Sequence, residues 1–242
     1  MMRLHVGNKN YSSWSMRAWV LMRQARIDFE ERLLRFDSFD ADSEFKRQLA
    51  GLSPAGKVPV LETTIDGQPQ AIWDTLAIAE YLAERFPARG LWPAAAGARA
   101  RARSVVAEMH SGFTALRGAF PMNIEARLPK VGERVLAEQP AVVADVSRVT
   151  GLWLDCLSAS EGPFLFGGFG IADAFFAPVV MRFRTYGVPL DAVSEDYAAR
   201  IQQAQGVSEW IGGALAEKDF RPFEEPYRSA PDRPAVGARE NG

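Results

Sequence analysis

The sequence predicts two folded parts in one chain: a small mixed α/β domain over 1–86, then an all-α helical domain over 98–220. Three observations carry this expectation. Up to Phe86 the periodicity switches between strand-like and helix-like segments in the order β-α-β-α-β-β-α. The stretch PARGLWPAAAG (87–97), rich in proline, glycine and small residues, reads as a linker. Beyond it strand signals largely stop, and the runs have helical length and period.

In the first part, MRLHV (2–6) suggests a short strand closed by Gly7. From Ser15, the positions Ala18, Trp19, Met22 and Ala25 share one helical face. DFEERLL (28–34) reads as a second strand and DSEFKRQLAGLSP (42–54) as a short helix ending near Gly51 and Pro54. KVPVLET (57–63) and QPQAIW (68–73) form a hairpin pattern, with Asp66-Gly67 as the turn signal. From Asp74 onward Thr75, Ile78, Ala79, Leu82 and Phe86 lie on one face, and Pro87 ends that helix.

In the second part, residues 98–120 and 140–160 have helical length, with Pro121 and Pro140 as breaks. IADAFFAPVVMRFRTYG (171–187) is apolar almost throughout its first half, which predicts a central buried helix. Two shorter helices fit 194–204 and 207–217. The tail over 221–242 is rich in proline, glycine and charge, and is expected to be extended or disordered.

Composition narrows the function. With 242 residues, 48% of them hydrophobic, the chain can bury a substantial core. A net charge of −2 gives no electrostatic case for nucleic acid or an anionic membrane. No apolar run reaches the roughly 18 residues of a membrane span. The first residues, MMRLHVGNKN, hold no secretory-signal pattern. A lone Cys156 excludes an internal disulfide and suits a reducing compartment, so the expectation is a cytoplasmic protein. Two histidines and one cysteine offer no metal-ligand spacing, and no glycine-rich turn suggests a dinucleotide.

Three short stretches carry chemistry. Ser12, Ser13 and Ser15 stand where the first strand hands over to a helix. Serines there cap orphan N–H groups, and the same helix terminus favours an anion such as a thiolate. In GKVPVLE (56–62), Pro59 cannot donate to a ladder and marks an edge or special turn. A cis bond would turn the backbone of Val58 outward, but only about 5–6% of X–Pro bonds are cis, so an ordinary trans proline is the expectation. Asp74 and Thr75 open the next helix, either as a cap or as a carboxylate and hydroxyl facing a ligand's amino and carboxylate groups.

Taken together, these stretches resemble a thioredoxin-like domain that binds glutathione, followed by a linker and a helical domain as in the soluble glutathione S-transferases. The resemblance covers about 3–217 and is nearest to bacterial serine-type members with a zeta-like SSxS opening. FLFGGFGIADAFFAPVVMRF (164–183) is similar to the family's buried helix; Asp173 matches its capping box, but Gly170 stands where Ser or Thr is usual.

The resemblance implies a glutathione transferase that activates the thiol for attack on a small electrophile. It places the catalytic serine at Ser12, with Ser13 as the nearest rival. It gives the cysteinyl backbone to Val58 and Pro59, and the γ-glutamyl end to Asp74 and Thr75. Lys57 is either a partner for the glycyl carboxylate or a solvated lysine. Met109, His110, Phe113 and Arg117 form a stripe that is either core or the wall of an electrophile pocket. A homodimer is also implied, in which the arginine-rich start of the helical domain (Arg99, Arg101, Arg103) is either a contact for the partner's first domain or a solvated face. A glutathione-dependent isomerase of the maleylacetoacetate type and a non-catalytic binding protein are the competing readings. A thiol–disulfide reductase would need a cysteine at the first helix, and none is there.

Overall fold

The computed structural model describes residues 1–231 and the backbone of 233–234. Its first part runs β1 (Arg3–Val6), α1 (Ser13–Gln24), β2 (Glu30–Leu33), α2 (Glu44–Leu49), β3 (Val60–Ile65), β4 (Gln68–Trp73) and α3 (Thr75–Arg85). The sheet order is β2-β1-β3-β4. β1 pairs in parallel with β2, which requires the crossover that α1 supplies, and antiparallel with β3, where Leu4 faces Leu61. Adjacent strand residues point to opposite faces. Leu61 accordingly joins the main core with α1 and α3, while Val60 joins a smaller cluster with Phe45 and Leu49 of α2.

The second part comprises α4 (Ala96–Ser111), α5 (Thr114–Ala119), α6 (Pro129–Glu138), α7 (Pro140–Ser158), α8 (Ile171–Tyr186), α9 (Ala192–Gln203) and α10 (Gln205–Glu217). α8 is buried along almost its whole length and is packed by α1, α4, α6 and α9. Trp153 of α7 fills the space between α8 and α9, with ring centroids 5.6 Å from Phe183 and 4.9 Å from Tyr197.

Several expectations are corrected. The run over 98–120 is two helices, because Phe113 has φ +57 and Gly112 approaches the preceding turn too closely for a side chain. A Cβ at Gly112 would lie 2.8 Å from the Glu108 carbonyl oxygen. α6 was not expected; Pro129 sits at its first position, where its missing N–H costs no hydrogen bond. The third strand begins at Val60 rather than at 57, leaving Lys57, Val58 and Pro59 outside the ladder. The linker stretch contains a single 3-10 turn, Pro87–Arg89, and α4 already starts at Ala96.

The tail, expected to be extended or disordered, is in part extended and in part a turn over 221–231. There a 3-10 turn (Pro222–Glu224) leads to β5 (Arg228–Ala230), which pairs with β6 (Arg233–Pro234). Glu225 and Arg228 are buried and joined at 2.6 Å, an ion pair that anchors this segment. The remainder of that expectation lies outside the described residues.

Asp173 fixes the start of α8. Its carboxylate accepts from the N–H groups of Gly170 (2.9 Å) and Leu165 (3.1 Å) and from the Tyr197 hydroxyl (3.0 Å). Burial pushes its pKa up to about 6 against the pull of these donors. A Cβ at Gly170 would meet the Leu91 carbonyl oxygen at 3.0 Å, which accounts for glycine where a serine or threonine cap is usual. Asp173→Ala strands three donors in the interior and is expected to cost roughly 3–5 kcal/mol, a fall in Tm of at least ~6 °C in thermal scans. A fall below about 2 °C would show that the cap is not structural.

Candidate active site

A cleft of about 970 Å³ lies between the sheet and the helices. Of the residues singled out from sequence, Ser12, Ser13 and Arg117 line it, as do Lys57, Val58 and Pro59 and the pair Asp74 and Thr75. The Val58–Pro59 bond is cis, against the trans expectation. Met109 and Phe113 do not line the cleft; both are buried in the hydrophobic core. His110 is half-buried behind the cleft wall, edge-on to Trp14 at 5.1 Å.

The three serines divide their work. Ser15 accepts from the Gly7 N–H at 3.0 Å, tying the end of β1 to α1. Ser12 is the N-cap of α1: it accepts from the Ser15 N–H at 3.4 Å and donates its own proton to Ser15 Oγ at 2.7 Å. Ser13 accepts from Nη2 of Arg182 at 3.1 Å, across from α8. Tyr11 also lines the cleft, but its hydroxyl donates to Glu225 at 2.8 Å and accepts from the Arg221 N–H at 3.1 Å. Burial pushes that phenol's pKa well up, which removes it as a proton source near neutrality.

Asp74 opens α3 with φ +73, a backbone region L residues seldom adopt and one that recurs at ligand sites. One carboxylate oxygen caps the Leu76 N–H at 2.8 Å, and the other lies 3.3 Å from His110 Nε2. Burial pushes the His110 pKa down, and Asp74 opposes that shift. Thr75 is buried and donates to the Trp14 carbonyl at 3.4 Å, which joins the starts of α1 and α3.

Sequence reasoning missed the cation that closes the cleft from the helical side. Arg182 is 6% exposed and lines the cleft, and its Nη1 donates to the Phe120 carbonyl. Arg117 lies over the Trp14 ring at 4.9 Å, and Arg17 lies over the same ring at 4.6 Å. Among the described residues none of these three arginines is in an ion pair. Burial pushes the Arg17 pKa down to about 9 and that of Arg182 to about 10, with Arg117 adding to both shifts. The available signal was Arg182 itself, a cation inside the apolar buried helix.

Among the described residues no group of three or more His, Cys, Asp or Glu side chains is placed to hold a metal ion. No described helix is long and apolar enough to cross a membrane. Cys156 is buried in α7, where burial raises its thiol pKa, and it does not line the cleft.

Residues 11–85 match the family model described as glutathione S-transferase, N-terminal domain. A probable maleylacetoacetate isomerase of Caenorhabditis elegans is 34% identical over 105 residues. That match spans 43% of this chain and 45% of the relative, so less than half of either length is compared. A glutathione transferase homolog from Burkholderia gl BGR1, solved with bound glutathione, superposes with a TM-score of 0.64 at 24% identity. It covers 89% of this chain and 98% of its own. A glutathione transferase from Methylococcus capsulatus str. Bath gives 0.63 at 23% identity, over 89% and 100% of the two chains. These two likenesses establish the fold.

The hydroxyl of Ser15 is the structural member of the serine trio. Ser15→Ala leaves the buried Gly7 N–H without an acceptor and should destabilise the fold by about 1–3 kcal/mol. Urea unfolding checks this: the midpoint should fall at unchanged slope, and an unmoved midpoint refutes the assignment.

Proposed function

We propose that this chain, whose residues 11–85 belong to the glutathione S-transferase N-terminal domain family, binds glutathione in the cleft and activates its thiol for attack on a small electrophile. The observation that carries the reading is convergence. The open N-terminus of α1, the Lys57–Pro59 segment and the start of α3 come from separate parts of the chain and line one cleft.

A glutathione thiol ionises near 8.5 when unperturbed. Lowering that value by ~2 units needs about 2.7 kcal/mol of preference for the thiolate. One charge-assisted hydrogen bond from a serine hydroxyl, with the positive end of the α1 dipole, supplies that much. Ser12 and Ser13 are the hydroxyls in place. Val58, outside the ladder, offers its backbone to the cysteinyl residue as an added strand would. Asp74 and Thr75 receive the γ-glutamyl end, with the helix terminus favouring its carboxylate, and Lys57 receives the glycyl carboxylate. The thiolate then forms a carbon–sulfur bond while the electrophile's leaving group departs or its ring opens. Trp14, Arg117 and Met122 form the wall facing that electrophile.

A second reading is supported by the name of the Caenorhabditis elegans relative: glutathione-dependent cis–trans isomerisation. There the thiolate adds to a carbon–carbon double bond, rotation follows, and elimination returns glutathione unchanged. A screen of glutathione consumption over aryl halides, epoxides, peroxides and cis-unsaturated diacids separates the two, since isomerisation returns the thiol unconsumed.

We further propose a cytoplasmic homodimer. Within the chain Arg99 bonds the carbonyls of Pro93 and Ala94, while Arg101 and Arg103 face Asp155 and Glu80. Light scattering at micromolar concentration should return twice the chain mass, and a single chain mass refutes the dimer. Glutathione at ~100 times its Kd should stabilise the protein by about 2.7 kcal/mol, and a dinucleotide should not. Thermal scans without any shift at millimolar glutathione would sink the glutathione reading.

A further inference from the structure

We propose that the hydroxyl donating to the glutathione thiolate is that of Ser13, held and polarised by Arg182, while Ser12 serves as the helix cap. The inference rests on the cleft being the glutathione site.

The hydrogen-bond directions around α1 carry the argument. The Ser12 proton is already directed inward, to Ser15 Oγ at 2.7 Å, and the Ser15 N–H returns to Ser12 Oγ at 3.4 Å. To serve the thiol, Ser12 would have to turn its proton away from Ser15, whose oxygen also accepts from the Gly7 N–H, and the link between the two would persist only with the Ser15 hydroxyl as donor. Ser13 is arranged the other way round. Its oxygen accepts from the Arg182 guanidinium at 3.1 Å, and its proton has no acceptor among the described residues. Ser13 also lines the cleft. A hydroxyl that accepts from a cation becomes a stronger donor through its own proton.

Arg182 cannot easily turn away. Its Nη1 is fixed on the Phe120 carbonyl, and no carboxylate among the described residues pairs with it. Around it stand Arg17 from α1, Arg117 from α5, Tyr186 from α8 itself and Glu224 from the turn after α10. Asp74 and His110 are the other titratable groups near Arg17 and Trp14. Glu224 is the acid facing Arg182, and burial beside Glu225 pushes its pKa up to about 7, so its opposing charge is incomplete at neutral pH. The field at the Ser13 hydroxyl is therefore positive, which suits a thiolate. Ser13 is on this view a catalytic residue and Arg182 a positioning residue acting through it.

The experiment follows the thiolate's ultraviolet absorbance in the glutathione complex against pH, with turnover of chlorodinitrobenzene as second readout. Ser13→Ala should raise the pH midpoint of the bound thiol and lower kcat at neutral pH roughly 10- to 150-fold, with KM for glutathione within about threefold. That deficit should shrink as pH nears the free thiol's own value. Ser13→Thr, which keeps a hydroxyl, should restore most of the midpoint. Arg182→Met should raise the midpoint in the same direction, and its combination with Ser13→Ala should go little beyond the larger single effect. If Arg182→Met does not fold, the Ser13 pair decides the matter. Ser12→Ala should chiefly lower thermal stability and move the thiol midpoint less than half as far as Ser13→Ala does. A midpoint that follows Ser12 and ignores Ser13, or one that ignores both, overturns the inference alone. A wild type that shows no bound thiolate at any pH overturns the glutathione reading and this inference with it.

Discussion

The loop over 7–13 must be buried and yet leave one helix end open to the cleft, and much of the structure serves that constraint. Buried backbone and amide groups need partners, or each costs several kcal/mol. Asn8 accepts from the Phe36 N–H at 2.7 Å and donates to Asp219 at 2.9 Å. Asn10 accepts from the Glu125 N–H at 2.8 Å and donates to Asn123 at 3.1 Å. Lys9 receives Trp210 Nε1 on its carbonyl at 3.0 Å and gives its N–H to Glu217. Tyr11 reaches Glu225. These bonds run from one loop to β2's exit, to the segment after α5, to α10 and to the C-terminal turn. The polar composition of GNKNYSSWS is thus explained by satisfaction of the loop, and the hydroxyl of Ser13 is the one side-chain donor in its serine trio left facing the cleft.

A second consequence is electrostatic. Three arginines approach the Trp14 ring and the start of α1, while the carboxylates facing them, Asp74 and Glu224, are respectively exposed and raised in pKa. Nε and Nη1 of Arg17 find no hydrogen-bond partner, although the side chain is 2% exposed. Cations of this kind are maintained by stacking, since Arg17 also lies 5.1 Å from the Phe175 ring. The result is a cleft floor that favours anions without a fixed counter-ion.

The expectations that held were those written in short-range periodicity. The turn at Asp66-Gly67, the helix begun at Asp74 and stopped by Pro87, and the apolar run of α8 each follow from local chemistry. Those that failed depended on partners far along the chain. Nothing near Gly112 announces that the Glu108 carbonyl leaves no room for a side chain, and nothing in the charged tail announces that Glu225 meets Arg228, Tyr11 and Asn123 in the interior. Met109 and Phe113 have the spacing of a pocket wall, but helical spacing defines a face and not what covers it. The break at Phe113 rotates α5 relative to α4 and brings Arg117 to the cleft while Phe113 turns into the core. Arg182 was visible as a charge in an apolar run; its partner, Ser13, lies 169 residues away.

On the glutathione reading, this arrangement separates recognition from activation. The groups that would hold the tripeptide, Lys57 to Pro59 and Asp74 with Thr75, all belong to the sheet half, where they flank β3, β4 and the start of α3. The charge that would favour the thiolate comes from Arg117 and Arg182 in the helical half. The α1 dipole by itself offers typically 0.3–1 kcal/mol at an exposed terminus, so most of a shift of two pKa units falls to the serine hydroxyl and the cation behind it. The packing of α1 against α8 is therefore more than a domain contact. It delivers a buried cation to the helix end at which the sheet half presents its serine, and on the same reading it would tie the ionisation of the thiol to the registry of two helices from different halves of the chain.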